Sequence, residues 1–480
     1  MDILTQIVAH KQEEVAQRKR LLPLEQLKQR IASAEPRPTR SMKAALAFSP
    51  TSIIAEFKRR SPSKGWLHPD ADVASVVPAY ERAGASACSI LTDECFFGGK
   101  DEDLRQARLL VDLPLLRKDF VIDAYQLYEA KLLGADAVLL IAAVLPPETC
   151  HRLAQLAHQL GLEVLLEIHS EEELRCLCPE VDMLGVNNRN LGTFHTSVAN
   201  SFQLVGRIRR FLSEHPDKHT QPLLVSESGI SRPEQLRVLR GQGFGGFLIG
   251  ETFMKTGEPG ETLRQFIQDS AFIYKVCGMK DPENIREVLT AGANAIGLIY
   301  YPPSPRCICI EDDKLVEAVH QAECQKFGVF VNERAEQILT LAAHFSLTHI
   351  QLHGDESAAQ CSQLRTQSGL KIVKAFGIAS AEDLKPLEDY VESVDYFLFD
   401  TRCSSRGGSG RSFDWDILAD YRLPVPFLLS GGLSLQNKEQ LQNFAHPYWA
   451  GIDLNSGVEC SPGVKDPALV QQIISCITNH

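Results

Sequence analysis

Short apolar runs that close on a polar or glycine position recur along the whole chain, with helix-like text between them. In the first half they read SIIAEFK, ASACSILTDE, LPLLRKDF, DAVLLIAAV, LEVLLEIHS, MLGVNNRN, PLLVSESG and GGFLIGET, with ends at Lys58, Asp93, Lys118, Ala142, Glu167, Asn187, Glu227 and Gly250 that lie 20 to 40 residues apart. Each interval has room for one strand, one helix and two loops. The second half repeats the rhythm with IYKVCG, AIGLIYYP, KFGVFVN, THIQLHG, KIVKAF, YFLFDT, VPFLLSGG and WAGIDLNSG. Strands apolar on both faces and joined by helices predict parallel sheets covered on the outside, and eight such units close into a barrel. The expected fold is therefore α/β, two tandem (β/α)8 TIM barrels over residues 1–270 and 271–480.

About 48 residues precede the first strand and predict an extra helical segment over one end of the first barrel. Their opening, MDILTQIVAHKQEEVAQRKR, mixes acids, bases and glutamines, so it reads as an amphipathic helix rather than a signal peptide. An open doubly wound sheet would place a glycine-rich turn after the first strand, where this chain has EFKRRSPSKG. The GxGxxG match at Gly241, Gly243 and Gly246 follows a helix and precedes a strand, so it reads as a helix stop and turn. That helix, SRPEQLRVLR, is expected to start with a capping box of Ser231 and Glu234.

Composition narrows the function classes. With 44% hydrophobic and 23% charged residues the chain suits a folded protein, and 49 Lys plus Arg against 61 Asp plus Glu gives a net charge of −12. No global field would recruit nucleic acid or an anionic membrane, so an anionic ligand must be held by local geometry. The longest clean apolar run, Ala137 to Leu145, is far short of the roughly 20 residues that span a bilayer. Thirteen cysteines scattered singly predict reduced thiols and a cytoplasmic protein, and the CxC pairs Cys176/Cys178 and Cys307/Cys309 lack the partners of a zinc site.

In a (β/α)8 barrel the chemistry gathers at the C-terminal ends of the strands. There the first half carries Glu56, Lys58, Lys118, Glu167, Asn187, Arg189, Glu227 and Ser228. Phosphate is commonly held by the loops after the seventh and eighth strands, which here contain Gly229 and Gly250, with Ser61 available from the first loop. The second half offers Gly431, Gly432, Asp453, Ser456 and Gly457 at the matching places, plus Gly408 in the stretch Gly407 to Arg411. Cys277 and Asp400, at two strand ends of the second half, suit a base and an acid for proton transfer. Arg306 in YYPPSPR adds a cation suited to a bidentate carboxylate contact.

Taken together, EFKRRSPSKG, LTDECFFGG, PLLRKDF, LLEIHSEEEL, GVNNRNL, SESGI and FLIGETFM make the first half resemble indole-3-glycerol-phosphate synthase. KVCGM, YYPPSPR, GVFVN, IQLHG, FLFDT, GGSGRSFDW, LSGGL and DLNSGVE make the second resemble phosphoribosylanthranilate isomerase. The arrangement is similar to the fused bacterial enzymes of tryptophan biosynthesis. The resemblance implies an Amadori rearrangement of N-(5-phosphoribosyl)anthranilate in the second barrel, with Asp400 as acid and Cys277 as base. It implies ring closure to indole-3-glycerol phosphate, with loss of carbon dioxide and water, in the first. There Lys118 is the expected acid, working with Glu167, while Lys58 and Asn187 face the anthranilate carboxylate and nascent hydroxyl, and Glu56 orients the lysines. Two lysines on one rim are also expected to lower each other's pKa. Neither reaction calls for a cofactor or metal. The expected partners are phosphorylated small molecules, with no obligate protein partner and a monomeric chain. An alternative keeps one barrel as a phosphosugar-binding scaffold, although both halves carry an acid/base set. An isomerase of the histidine-biosynthesis type would want aspartates at the first and fifth strand ends, where the second half has Cys277 and Phe376.

Overall fold

The structure, a computed structural model, describes residues 3–34, 37–189, 198–216, 221–401, 413–446 and 448–478, and the chain divides into two compact units, Met1–Ser270 and Ala271–His480. In the first unit all eight expected strands form: β1 (Ile53–Phe57), β2 (Ala87–Leu91), β3 (Leu115–Lys118), β4 (Ala137–Ile141), β5 (Glu163–Ile168), β6 (Met183–Asn187), β7 (Leu223–Glu227) and β8 (Gly246–Ile249). Each pairs in parallel with the next, and β8 returns to β1 with Ile53 opposite Phe247, which closes the barrel. The two-residue period of a strand then sorts its side chains. On β4, Val138 and Leu140 pack outward beneath the helices, whereas Ala137, Leu139 and Ile141 fill the interior with Ile54, Leu116, Leu165, Met183, Val225 and Leu248.

Local chemistry fixes the crossover helices. Asp72 and Asp123 accept backbone N–H bonds at the starts of Val73–Ala83 and Ala124–Leu133, and Gly84 and Gly134 end those helices at φ of 96° and 99°. The helix Glu234–Gly241 begins after Pro233, and the side chain of Gln235 accepts the backbone N–H groups of Ser231 and Arg232, while the Glu234 side chain that the expected capping box needs lies outside the described residues. Gly241 ends that helix and Gly243 follows at φ 81°, in keeping with the helix-stop reading.

The leading segment covers both ends of the barrel rather than one. It forms α1 (Ile3–Leu21), α2 (Leu24–Ser33) and α3 (Met42–Phe48). Met42 and Leu46 of α3 plug the base, and Glu163 at the start of β5 accepts the Met42 and Lys43 backbone N–H groups at 2.7 and 2.9 Å. The helix α1 lies at the opposite end. Its Lys11, only 1% exposed, sits 3.0 Å from Asp93 and 2.9 Å from Asp119, just past β2 and β3.

The second unit is a second closed parallel barrel, of β9 (Ile273–Cys277), β10 (Ala295–Ile299), β11 (Gln325–Phe330), β12 (His349–Leu352), β13 (Lys371–Ile378), β14 (Tyr396–Thr401), β15 (Phe427–Leu429) and β16 (Trp449–Leu454). It closes between β9 and β16, with Lys275 in register with Asp453. Ala295, Phe327, Val373, Leu398 and Leu428 fill its interior. Ile473 and Ile474 of the final helix, Pro467–Thr478, belong to the outer core. Among the described residues no helix is long and apolar enough to cross a membrane.

Candidate active sites

The interior rows of the first barrel end in chemistry. Ile54 is followed on the same face by Glu56 and Lys58, Leu116 by Lys118, Leu165 by Glu167, Met183 by Gly185 and Asn187, and Val225 by Glu227. These rows open into a cavity of about 490 Å³ lined by Glu56, Lys58, Lys118, Glu167, Asn187, Arg189, Glu227, Ser228, Gly229 and Gly250. Ile3, Leu4 and Ile7 of α1 supply an apolar wall that the strand pattern does not announce. Ser61 is fully enclosed and its hydroxyl accepts the Lys64 backbone N–H at 3.3 Å, so it braces the first loop, and its neighbours Ser63 and Lys64 reach the cavity instead.

Lys118 Nζ lies 3.0 Å from Glu167 Oε2 and 2.7 Å from Glu227 Oε2, and Lys58 pairs with Glu56. Carboxylates rather than the second lysine therefore govern the charge on Lys118. Burial pushes the Lys118 ammonium down, but Glu167, Glu227 and Glu56 outweigh it and raise its pKa above the ordinary value. The carboxylates separate. Burial also opposes ionisation of both, yet Lys118 and His169 hold Glu167 well below the usual carboxylate range. Glu227, opposed by burial and by the charge on Glu167, is pushed up to about 7 despite its bond to Lys118. Two glycines make this packing possible. A Cβ on Gly185 would stand 2.0 Å from Glu227 Oε1, and one on Gly250 would stand 2.3 Å from Glu56 Oε2. Past β7, Ser228 and Gly229 both adopt positive φ, 65° and 74°, and turns of this kind present successive backbone N–H groups to an anion.

The second barrel repeats the plan at a smaller scale. A cavity of about 90 Å³ is lined by Cys277, Asp400, Gly431, Gly432, Asp453, Ser456 and Gly457. Gly431 and Gly432, past β15, have φ of 86° and 67°, matching Ser228 and Gly229 of the first barrel. Asp400 accepts the Thr401 backbone N–H at 2.7 Å and lies 3.5 Å from His353 Nε2. Burial pushes the Cys277 thiol up, against the pull of Lys275. The Arg306 guanidinium is not in the cavity wall. Its fork is taken by Glu459 at 2.8 and 2.6 Å, and Glu459 is held at about 2, where Arg306 and Lys465 overcome burial. Gly408 and the stretch around it lie outside the described residues. His353, Gln351 and Lys275 escaped the sequence reading, although each sits on the inward face of β9 or of β12 and its continuation.

Fold and sites together define a tandem (β/α)8-barrel enzyme whose two mouths each combine proton-transfer groups with left-handed glycine turns. Residues 4–266 match the family model described as indole-3-glycerol phosphate synthase, and residues 274–476 match that of N-(5'phosphoribosyl)anthranilate (PRA) isomerase. The chain is 58% identical over 267 residues to the indole-3-glycerol phosphate synthase of Bacteroides thetaiotaomicron, spanning 56% of this chain and 98% of that one. It is 35% identical to the tryptophan biosynthesis protein TrpCF of Vibrio cholerae over 100% of this chain and 96% of that one. A solved phosphoribosyl anthranilate isomerase from Thermotoga maritima is 30% identical over 44% of this chain and 100% of that one, at a TM-score of 0.39. The chain belongs to the TrpCF family of bifunctional tryptophan-biosynthesis enzymes, which joins the synthase and the isomerase in one polypeptide.

Proposed function

We propose that the two reactions divide between the two mouths, with the isomerisation at Cys277 and Asp400 and the ring closure at Lys118, Glu167 and Glu227. In the second barrel Asp400 protonates the furanose ring oxygen of N-(5-phosphoribosyl)anthranilate, and the ring opens to a Schiff base. Cys277 as thiolate removes the C2′ proton, and the enolamine relaxes to the ketone. Gly431, Gly432, Ser456 and Gly457 hold the phosphate through their backbone N–H groups. Asp453 borders the ribose. Arg306 orients the anthranilate end only if its fork is released from Glu459.

In the first barrel the Lys118 ammonium donates to the ketone oxygen as the aromatic carbon attacks. Glu227, the neighbour whose pKa is raised toward neutrality, restores the proton. Glu167, kept ionised, accepts a proton during ring closure or dehydration. Lys58 and Asn187 meet the anthranilate carboxylate and nascent hydroxyl, Glu56 holds Lys58, and Arg189 lines the pocket beside Ser228. Gly229 and the loop at Gly250 take the phosphate. The reading needs no cofactor or metal, since every proton has a side-chain donor or acceptor. The side chains assigned to each mouth come from a single barrel of the chain, and the chain is read as a monomer acting on phosphorylated small molecules. The acidic net charge and dispersed thiols support a cytoplasmic setting.

The observation that carries this reading is the separation of two complete acid/base sets into two cavities, one inside each matched segment. It disfavours a scaffold role for either barrel. Purified chain given each substrate separately should turn over both, N-(5-phosphoribosyl)anthranilate to the ketone and the ketone to indole-3-glycerol phosphate. Failure of either substrate to react would reinstate the scaffold.

A further inference from the structure

A lysine enclosed in a barrel interior is expensive, because an unpaired ammonium out of water costs several kcal/mol. Lys275 is such a residue, with 0% of its side chain exposed. It sits among Ala295, Phe327, Val373 and Leu398, where another apolar side chain would fill the layer without the penalty. Its Nζ lies 2.7 Å from Asp453 Oδ1 and 5.3 Å from the Phe327 ring centroid. The two-residue period places it on the same inward face as Cys277, one layer deeper. Both side chains press on one spot, since a Cβ on Gly297 would meet Cys277 Sγ at 2.7 Å and Lys275 Cε at 3.1 Å.

We propose that Lys275 is a positioning residue of the isomerase mouth, whose buried ammonium orients the Cys277 sulfur and supports its thiolate while Asp453 keeps that ammonium charged. This rests on the reading of Cys277 as the base. Burial opposes the thiolate, so a base at this position needs a nearby cation. Among the described residues the charged groups acting on the sulfur are Lys275 from its own strand, Asp453 from β16, Lys465 from the hairpin that follows, and Arg306 from the loop after β10, while Asp400 of β14 and His353 just past β12 line the same cavity. Lys465 and Arg306 are both drawn onto Glu459, at 2.6 Å each. Lys275, beside the sulfur at Gly297, pulls the thiol's pKa down more strongly than Asp453 pushes it up. His349, which also feels the Lys275 charge, is held down at about 3 by burial and stays neutral.

The test reads the thiol directly. In Lys275→Met the rate of Cys277 alkylation by iodoacetamide, followed on its own peptide by mass spectrometry, should fall at least tenfold at pH 7.5, about one unit of upward shift in the ionisation midpoint. The isomerase kcat should fall with it at nearly constant KM, and rising pH should restore part of the loss. An unmoved midpoint in the folded variant overturns the proposal. Lys275→Met leaves Asp453 buried without its cation, so Lys275→Met/Asp453→Asn, which removes both charges, guards against misfolding. In the double variant the midpoint should stay above the native one, and a return to the native value would assign the pair a purely structural role. Failure of the base assignment is separable, because it would appear as full isomerase activity in Cys277→Ser whatever the alkylation profile of the Lys275 variants.

Discussion

Replacing Glu227 by Gln sets stability and catalysis in opposite directions. The Glu227 carboxyl is fully buried and pushed up to about 7 from an ordinary 4.5, because burial and Glu167 together oppose its charge more strongly than Lys118 favours it. A carboxyl whose folded pKa is raised binds its proton more tightly in the folded chain, so the wild type loses stability as pH rises from the unfolded value through the folded one. Over that window the loss approaches ~3 kcal/mol. Glutamine keeps the shape and never ionises. Glu227→Gln should therefore leave the first unit nearly unchanged at pH 5 and more stable at pH 8, by up to ~3 kcal/mol. Ring closure should fall by roughly 10²- to 10⁴-fold, the usual contribution of a positioned proton carrier. The limb of its pH profile that descends above neutrality, where wild-type Glu227 loses the proton it must deliver, should flatten. Calorimetry at the two pH values, with separate assays of the two half-reactions, gives both readouts, and the isomerase rate serves as the internal control. A variant no more stable at pH 8, with ring closure within threefold of wild type, would refute the reasoning.

Further outcomes follow from single contacts. Lys11→Met leaves Asp93 and Asp119 buried without their shared cation, a loss of about 3–5 kcal/mol. It should free α1 to exchange its amide hydrogens faster and raise the KM for the ketone as Ile3, Leu4 and Ile7 leave the wall. Gly297→Ala puts a methyl group 2.7 Å from Cys277 Sγ, and the displaced sulfur should cost the isomerase roughly 100-fold in kcat with ring closure untouched. Gly185→Ala crowds Glu227 Oε1 at 2.0 Å and should give the reverse pattern in parallel assays of the two reactions.

The alternation of side chains along sixteen short strands made the architecture legible, because each apolar run ends where its inward row reaches solvent. Lys118, Glu167, Glu227, Cys277 and Asp400 were found by that rule. What escaped depends on partners distant in sequence. Arg306 looks available until Glu459, 153 residues away, occupies its fork. The two lysines look like mutually depressed acids until β5 and β7 bring carboxylates to Lys118. Gly250 reads as an anion contact, and the fold adds that its missing side chain leaves space for Glu56. Lys275 reads as one polar residue in an apolar strand, and only barrel closure in register shows it facing Asp453.

Two independent mouths in one chain are best tested by Lys118→Ala and Asp400→Asn, each assayed with both substrates. The first should abolish indole-3-glycerol phosphate formation while the isomerase keeps its native rate, and the second should do the converse. Loss of both activities in either folded variant would contradict the division of labour.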